Sequence, residues 1–233
     1  MKKYKIGIPA WKTGDNSFGV TAPYMQFIES FDAEVIILNP HSPIRTDLDL
    51  LLIPGGPDVD TMRYNQAPGY FTGKPCPFRE YFDINHLPKY IEAKTPIYGI
   101  CRGFQSLGVY FGASMRQHVN HVHNESYDRS KLVHEVDIDL SVRKALARNL
   151  NFVRPVYGTN SIHHQVLRED TIMNNTPLVV VGRSDKKHGR HVELIAHPEL
   201  PIVAEQAHPE ETYNPFALAA IRYLLENKKS ILS

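Results

Sequence analysis

Four short, nearly continuous apolar runs fall in the first hundred residues: Tyr4–Pro9, Glu34–Leu38, Asp49–Ile53 and Pro96–Ile100. Segments of helical pattern lie between and after them. Ala22–Phe31 has Thr21 as a candidate N-cap. Phe78–Ala93 should be interrupted near Pro88, and Arg102–Phe111 follows the fourth run directly. A strand that is apolar on both faces must be covered on both faces, and strand–helix alternation is how a parallel sheet achieves this. The expected fold is therefore α/β, three-layered, with a mostly parallel central sheet flanked by helices. The second half is richer in β pattern, with strands expected at Val133–Ile138, Val153–Tyr157, Leu178–Arg183, Val192–Ile195 and Ile202–Gln206. These predict a smaller β-rich addition, followed by a terminal helix over Pro215–Leu225. Residues 57–77 read as a surface loop. No repeat or linker divides the chain, so residues 1–233 are expected to form a single domain.

The overall charge narrows the function classes. A net charge of +1 supplies no basic field for nucleic acid or an anionic membrane. No run of about 18 apolar residues is present, and the N-terminus lacks the apolar stretch of a signal peptide. Two cysteines, Cys76 and Cys101, do not make a disulfide framework. A reducing, cytoplasmic setting is the simpler expectation. Twelve histidines make a metal site worth testing.

In parallel sheets, ligands bind beyond the carboxyl ends of the strands. Two turns lie at such ends: Pro54-Gly55-Gly56-Pro57 and Gly99-Ile100-Cys101-Arg102-Gly103. A strand that turns at once into a helix forms a sharp elbow, and its tip residue is forced toward strained backbone angles. Glycines two before and two after the tip relieve the crowding. The elbow lifts the cysteine side chain into the cleft and places its sulfur at a helix N-terminus, which favours thiolate. The backbone N–H of Arg102 becomes an oxyanion donor. Gly55–Gly56 can bring a second N–H close to a developing negative charge. A plain core thiol would not need this setting. Cys76, between Pro75 and Pro77, has no such context and reads as structurally incidental.

A cysteine nucleophile requires a histidine oriented by an acid or amide. Two strings compete, "LIAHPELP" with His197 and Glu199, and "AEQAHPEETYNPF" with His208 and Glu210. In each, proline keeps the chain extended, so the two side chains can point the same way. His208 is favoured. A strand-like run precedes it and a helix follows, whereas "HPELP" reads as a turn between strands.

These strings resemble the class I glutamine amidotransferase-like superfamily. "GICRGFQ" is similar to its nucleophile motif, "AEQAHPEE" to its His-x-Glu motif and "LLIPGGPDVD" to its oxyanion loop. "FGASMRQH" and "TNSIHHQ", in that order, bring the chain nearest to the gamma-glutamyl-gamma-aminobutyrate hydrolase branch. The resemblance spans roughly Lys5 to Leu225. It implies a flavodoxin-like fold, a Cys101–His208–Glu210 triad and oxyanion donors at Gly56 and Arg102. It also implies substrate contacts from Gly55, Gln105, Asn160, Ser161, His164 and Gln165. Two departures stand out: Ala113 where the branch has a second glycine, and Ala207 where it has an aromatic residue before the histidine.

The reaction so implied is cleavage of a γ-glutamyl amide, either glutamine or a γ-glutamyl amine, through a Cys101 thioester, with no metal or organic cofactor. Two alternatives keep the triad out of sole control. The chain is otherwise a glutaminase subunit that delivers ammonia to a separate synthase, or an inactive binding relative. A metal site would have to gather His118, His121 and His123 with His163 or His164, a spacing that matches no strong ligand pattern.

Overall fold

The computed structural model describes residues 3–14, 17–39, 41–120 and 128–233. Its strands are β1 (Tyr4–Pro9), β2 (Trp11–Gly14), β3 (Ser17–Gly19), β4 (Ala33–Leu38), β5 (Leu50–Ile53), β6 (Ile97–Ile100) and β7 (Met115–Arg116) in the first half. The second half adds β8 (His134–Ile138), β9 (Val156–Thr159), β10 (Val166–Leu167), β11 (Val179–Ser184), β12 (Val192–Ala196) and β13 (Ile202–Glu205). The helices are α1 (Ala22–Glu29), α2 (Pro77–Asn85), α3 (Leu87–Glu92), α4 (Arg102–Tyr110), α5 (Arg143–Leu150), α6 (Glu169–Asn175), α7 (Pro209–Thr212) and α8 (Pro215–Asn227).

Nine strands form one sheet in the order β4-β1-β5-β6-β13-β12-β11-β8-β9. The first five of these run parallel, and β12, β11, β8 and β9 extend the same sheet antiparallel. The β-rich second half is thus an extension of the central sheet.

Strand periodicity accounts for the two covered faces. In β5, Leu50 and Leu52 face a core shared with α1, α5 and α8. Leu51 and Ile53 face the opposite core, shared with α2, α3 and α4. All four are wholly buried, which is why the run contains no polar residue.

The helix expected to break near Pro88 ends at Asn85, with His86 between α2 and α3. Thr21 sits at the N-cap position of α1 but makes no side-chain capping bond there. The 57–77 loop contains one turn of 3₁₀-helix, Thr61–Tyr64, capped by the Asp60 carboxylate. Strand β9 starts three residues later than the pattern predicts. Val153 is 76% exposed, so it is not part of a buried strand. Among the described residues no helix is long and apolar enough to cross a membrane.

Candidate active site

The carboxyl ends of three adjacent strands, β5, β6 and β13, carry the two glycine turns and the favoured histidine. Cys101 follows β6, with φ 50° and ψ −103°. A side chain other than glycine rarely adopts such angles, and they persist only where surrounding bonds over-determine them. Here they do: the Cys101 N–H donates to the Glu205 carbonyl at 2.8 Å and its carbonyl accepts from Gln105 N at 3.0 Å. The strand ladder and the first turn of α4 therefore both claim the same residue.

The flanking glycines are required by contact. A Cβ on Gly103 would lie 2.1 Å from the Ile53 carbonyl oxygen, and one on Gly99 would lie 2.9 Å from the Gly103 backbone. The elbow can be this sharp only because α4 rests directly on the end of β5. Gly103→Ala is expected to destabilise the protein by at least about 1–3 kcal/mol, the usual cost of overpacking a core. Chemical denaturation against the parent protein measures it.

The Cys101 side chain is 6% exposed, but a polar group meets it: Gln206 Nε2 lies 3.6 Å from its sulfur. Gln206 Oε1 in turn accepts from Gln105 Nε2 at 3.1 Å. His208 Nδ1 is 2.6 Å from Glu210 Oε1, both residues being buried. Burial alone would lower the His208 pKa. The Glu210 carboxylate and the negative charge of a Cys101 thiolate outweigh burial and raise it above its ordinary value. Gly55 is where the ring and the nucleophile converge, since a Cβ there would lie 2.8 Å from His208 Cε1 and 3.5 Å from Cys101 Cβ.

Asn160 is wholly buried and clamps the His208 backbone from both sides. Its Oδ1 accepts from His208 N at 2.9 Å and its Nδ2 donates to the His208 carbonyl at 3.0 Å. Ser161 beside it is wholly buried too. Gln165 donates to Asp58 at 2.9 Å, and its carbonyl accepts from Gln105 Nε2 at 3.3 Å. His164 lies further out, 3.4 Å from Asp58 and 3.3 Å from the His118 ring. The structure thus brings Cys101, His208, Glu210 and Gly55 together, links Gln105 to the sulfur through Gln206 and to the Gln165 backbone, and places His164 against Asp58 and His118.

His197 belongs to a different part of the molecule. Its Nδ1 accepts from Glu199 N at 3.1 Å and Leu200 N at 2.9 Å, capping the turn between β12 and β13. His121 and His123 lie outside the described residues. His163 donates from Nδ1 to the Gln165 carbonyl at 2.9 Å, and burial pushes its pKa down to about 4. Among the described residues no three His, Cys, Asp or Glu side chains are grouped to hold a metal ion.

Sequence reasoning missed three supporting groups. Tyr24, on α1, accepts the Gly55 N–H at 2.9 Å. That amide is therefore engaged. Gln206 stands two residues before His208, inside the very string that identified the histidine. The third is Arg79, on α2 and wholly buried. It donates to the Gly55 carbonyl at 2.8 Å and the Pro54 carbonyl at 2.7 Å, holding the glycine turn in place. Only the proximity of α2 to β5, not visible in the sequence, brings it there. Arg79→Met is expected to lower kcat by roughly a hundredfold, the usual effect of displacing one oxyanion donor, with a smaller change in KM. Steady-state kinetics on the folded variant check this.

The Arg102 side chain points away from the sulfur into a buried ion network. It pairs with Glu80 and, at 2.7 Å, with Asp83. Asp83 also binds Arg63 at 2.9 Å and the Ser106 hydroxyl. Burial opposes the Asp83 charge, but Arg102 and Arg63 outweigh it and hold the carboxyl below its usual range. The network ties α2 to α4 behind the elbow.

Comparison with known proteins agrees with this geometry. Residues 6–210 match the Peptidase C26 family. The glutamine amidotransferase-like protein YvdE of Lactococcus lactis subsp. lactis is 31% identical over 172 residues, covering 72% of this chain and 68% of that protein. Anthranilate synthase component 2 of Saccharolobus solfataricus is 27% identical, covering 72% of this chain and 77% of its own. In fold, the chain is similar to a glutamine amidotransferase from Thermotoga maritima, with a TM-score of 0.59 and full coverage of both chains at 13% identity. A cysteine on a strained strand–helix elbow, a buried His–Glu pair and a family match over most of the sequence lead to one assignment: the chain belongs to the Peptidase C26 family of the class I glutamine amidotransferase-like superfamily.

Proposed function

We infer that this protein hydrolyses γ-glutamyl amide bonds through a thioester on Cys101. Family membership supports the coarser statement, a glutamine amidotransferase-type cysteine hydrolase or glutaminase. The observation that carries the finer reading is the convergence of the strained Cys101 and the Glu210-bound His208 on Gly55.

His208 takes the thiol proton, and the thiolate attacks the amide carbonyl carbon. The oxyanion rests against the N–H groups of Gly56 and Arg102, where fixed dipoles stabilise it without reorganisation. His208 then protonates the departing amine as the C–N bond breaks. Water, activated by the same ring, attacks the thioester and releases glutamate and the free thiol. Glu210 holds the imidazole in the tautomer whose other nitrogen faces the sulfur. Gln105, which meets both the Gln206 side chain beside the sulfur and the Gln165 carbonyl, and Gln165 receive the glutamyl chain.

The test is a rate comparison over glutamine and a series of γ-glutamyl amines, together with labelling by a glutamine-like electrophile. Labelling confined to Cys101 is expected; a labelled protein with the electrophile elsewhere would overturn the assignment. A second reading, a glutaminase subunit serving a synthase, has the similarity to anthranilate synthase component 2 in its favour. It requires low activity alone and a large rise when a synthase chain is added.

A further inference from the structure

We propose that Gln206 is a further catalytic residue: its side-chain amide donates a hydrogen bond to the Cys101 sulfur and stabilises the thiolate, in an orientation that Gln105 imposes. The inference takes from the reading above only that Cys101 is the nucleophile.

The sheet places Gln206 beside the sulfur. Strands β6 and β13 run parallel with Ile100 level with Glu205, so the next residue of each, Cys101 and Gln206, leaves the ladder at the same height. The Cys101 N–H donates to the Glu205 carbonyl at 2.8 Å, and the Gln206 N–H donates to the Glu193 carbonyl of β12 at 2.8 Å. Both backbones are held where the two side chains meet, with Gln206 Nε2 3.6 Å from the sulfur. Gln206 is wholly buried and Cys101 nearly so, so little water is at hand to solvate a negative sulfur. A hydrogen bond to a charged group is roughly twice as strong as a neutral one. The other side chains facing the sulfur are the His208 ring, backed by Glu210, and the Tyr24 hydroxyl. His208 must give its proton to the departing amine, whereas the Gln206 amide keeps its own throughout.

Neighbouring groups decide that the amide presents nitrogen, not oxygen, to the sulfur. Gln105 stands one turn along α4 from Cys101, on the same face of the helix. Its Nε2 lies 3.3 Å from the Gln165 carbonyl oxygen and 3.1 Å from Gln206 Oε1. A backbone carbonyl can only accept, so the Gln105 nitrogen has to face it. The second hydrogen on that nitrogen requires an acceptor, which draws Gln206 Oε1 toward Gln105 and leaves Gln206 Nε2 for the sulfur. His163 Nδ1 donates to the same Gln165 carbonyl at 2.9 Å, so the anchor is itself held. Gln105 is a positioning residue for Gln206, and neither bond uses its own Oε1.

The pH dependence of alkylation by iodoacetamide, followed separately on each cysteine by mass spectrometry, reads the Cys101 titration in the resting enzyme. Cys76, also a free thiol, is the internal reference. In Gln206→Met the Cys101 midpoint is expected to rise by about one pH unit, the size expected when a charged acceptor loses one donor, while that of Cys76 stays. Gln105→Met should raise it by less, because the released Gln206 amide can then turn. The double variant should match Gln206→Met alone, since Gln105 acts through Gln206. Gln206→Asn keeps an amide but withdraws it from the sulfur by one methylene and should reproduce the rise; it serves if methionine prevents folding. An unmoved midpoint in folded Gln206→Met or Gln206→Asn would overturn the proposal even if turnover fell, and additive shifts in the double variant would remove Gln105 from it. No γ-glutamyl amide enters the measurement. The expected shifts in a protein that cleaves none of them would therefore uphold the donor and refute the substrate assignment.

Discussion

Cys101→Ala should abolish turnover, by on the order of 10⁴-fold or more, while the protein remains folded. In the proposed mechanism the sulfur forms the acyl bond, and its loss is not made good by the oxyanion donors or by His208. Stability should hardly change, because the substitution removes one small atom from a site already lined with polar groups. The positive φ of Cys101 permits a sharper comparison. Alanine keeps a Cβ and so keeps the backbone strain, whereas glycine releases it. Cys101→Gly should therefore be more stable than Cys101→Ala by about 1–2 kcal/mol, the lower part of the range for such strain after the greater flexibility of unfolded glycine is allowed for. Equal midpoints in urea for the two variants would show that the elbow is not held under tension. Residual turnover in either would mean that another residue is the nucleophile.

Asp83→Asn carries the second large effect. The carboxylate is wholly inaccessible and bridges Arg102 and Arg63 at 2.7 and 2.9 Å. Its loss leaves two guanidinium groups in the interior with Glu80 as their remaining acid. Breaking a buried pair on one side typically costs about 3–5 kcal/mol, and that is the expected loss in a denaturant titration. Activity at low temperature should fall too, because the network fixes α4, whose first amide is the proposed oxyanion donor. The pH dependence follows from the direction of the shift. The folded-state pKa of Asp83 lies below its unfolded value of roughly 3.9. Its contribution is present in full above that value and is lost as acid takes the pH down through the lower, folded one. The parent should thus lose stability steeply below about pH 4, and Asp83→Asn should lose less over the same interval.

The parts of the site legible in the sequence are those made by local chemistry. The glycine spacing around Cys101 specifies an elbow because the constraint is steric and spans five residues. His208 could be chosen over His197 because a helix follows it, whereas a second strand follows His197, whose ring caps the turn between the two strands. The parallel half of the sheet was equally readable, since strands covered on both faces leave few polar positions. Elements with thin apolar stripes were not. Helix α5 buries only Leu146 and Leu150, and α6 only Ile172. The β2–β3 hairpin is mostly exposed. Such segments are fixed by what they rest on, and their own composition is nearly silent. Arg79, Asp83 and Tyr24 were hidden for the same reason: their partners are 19 to 31 residues away in the chain.

The closed set of charges linking α2 and α4 also bears on how such a sequence can drift. Arg63, Glu80, Asp83 and Arg102 pair with one another largely out of reach of water, so any ancestor that replaced one of them alone passed through a form with a poorly matched ion inside it. Descendants should therefore either keep the quartet or exchange several members together, and the four positions should change in concert across lineages even though their neighbours on the same helices vary freely.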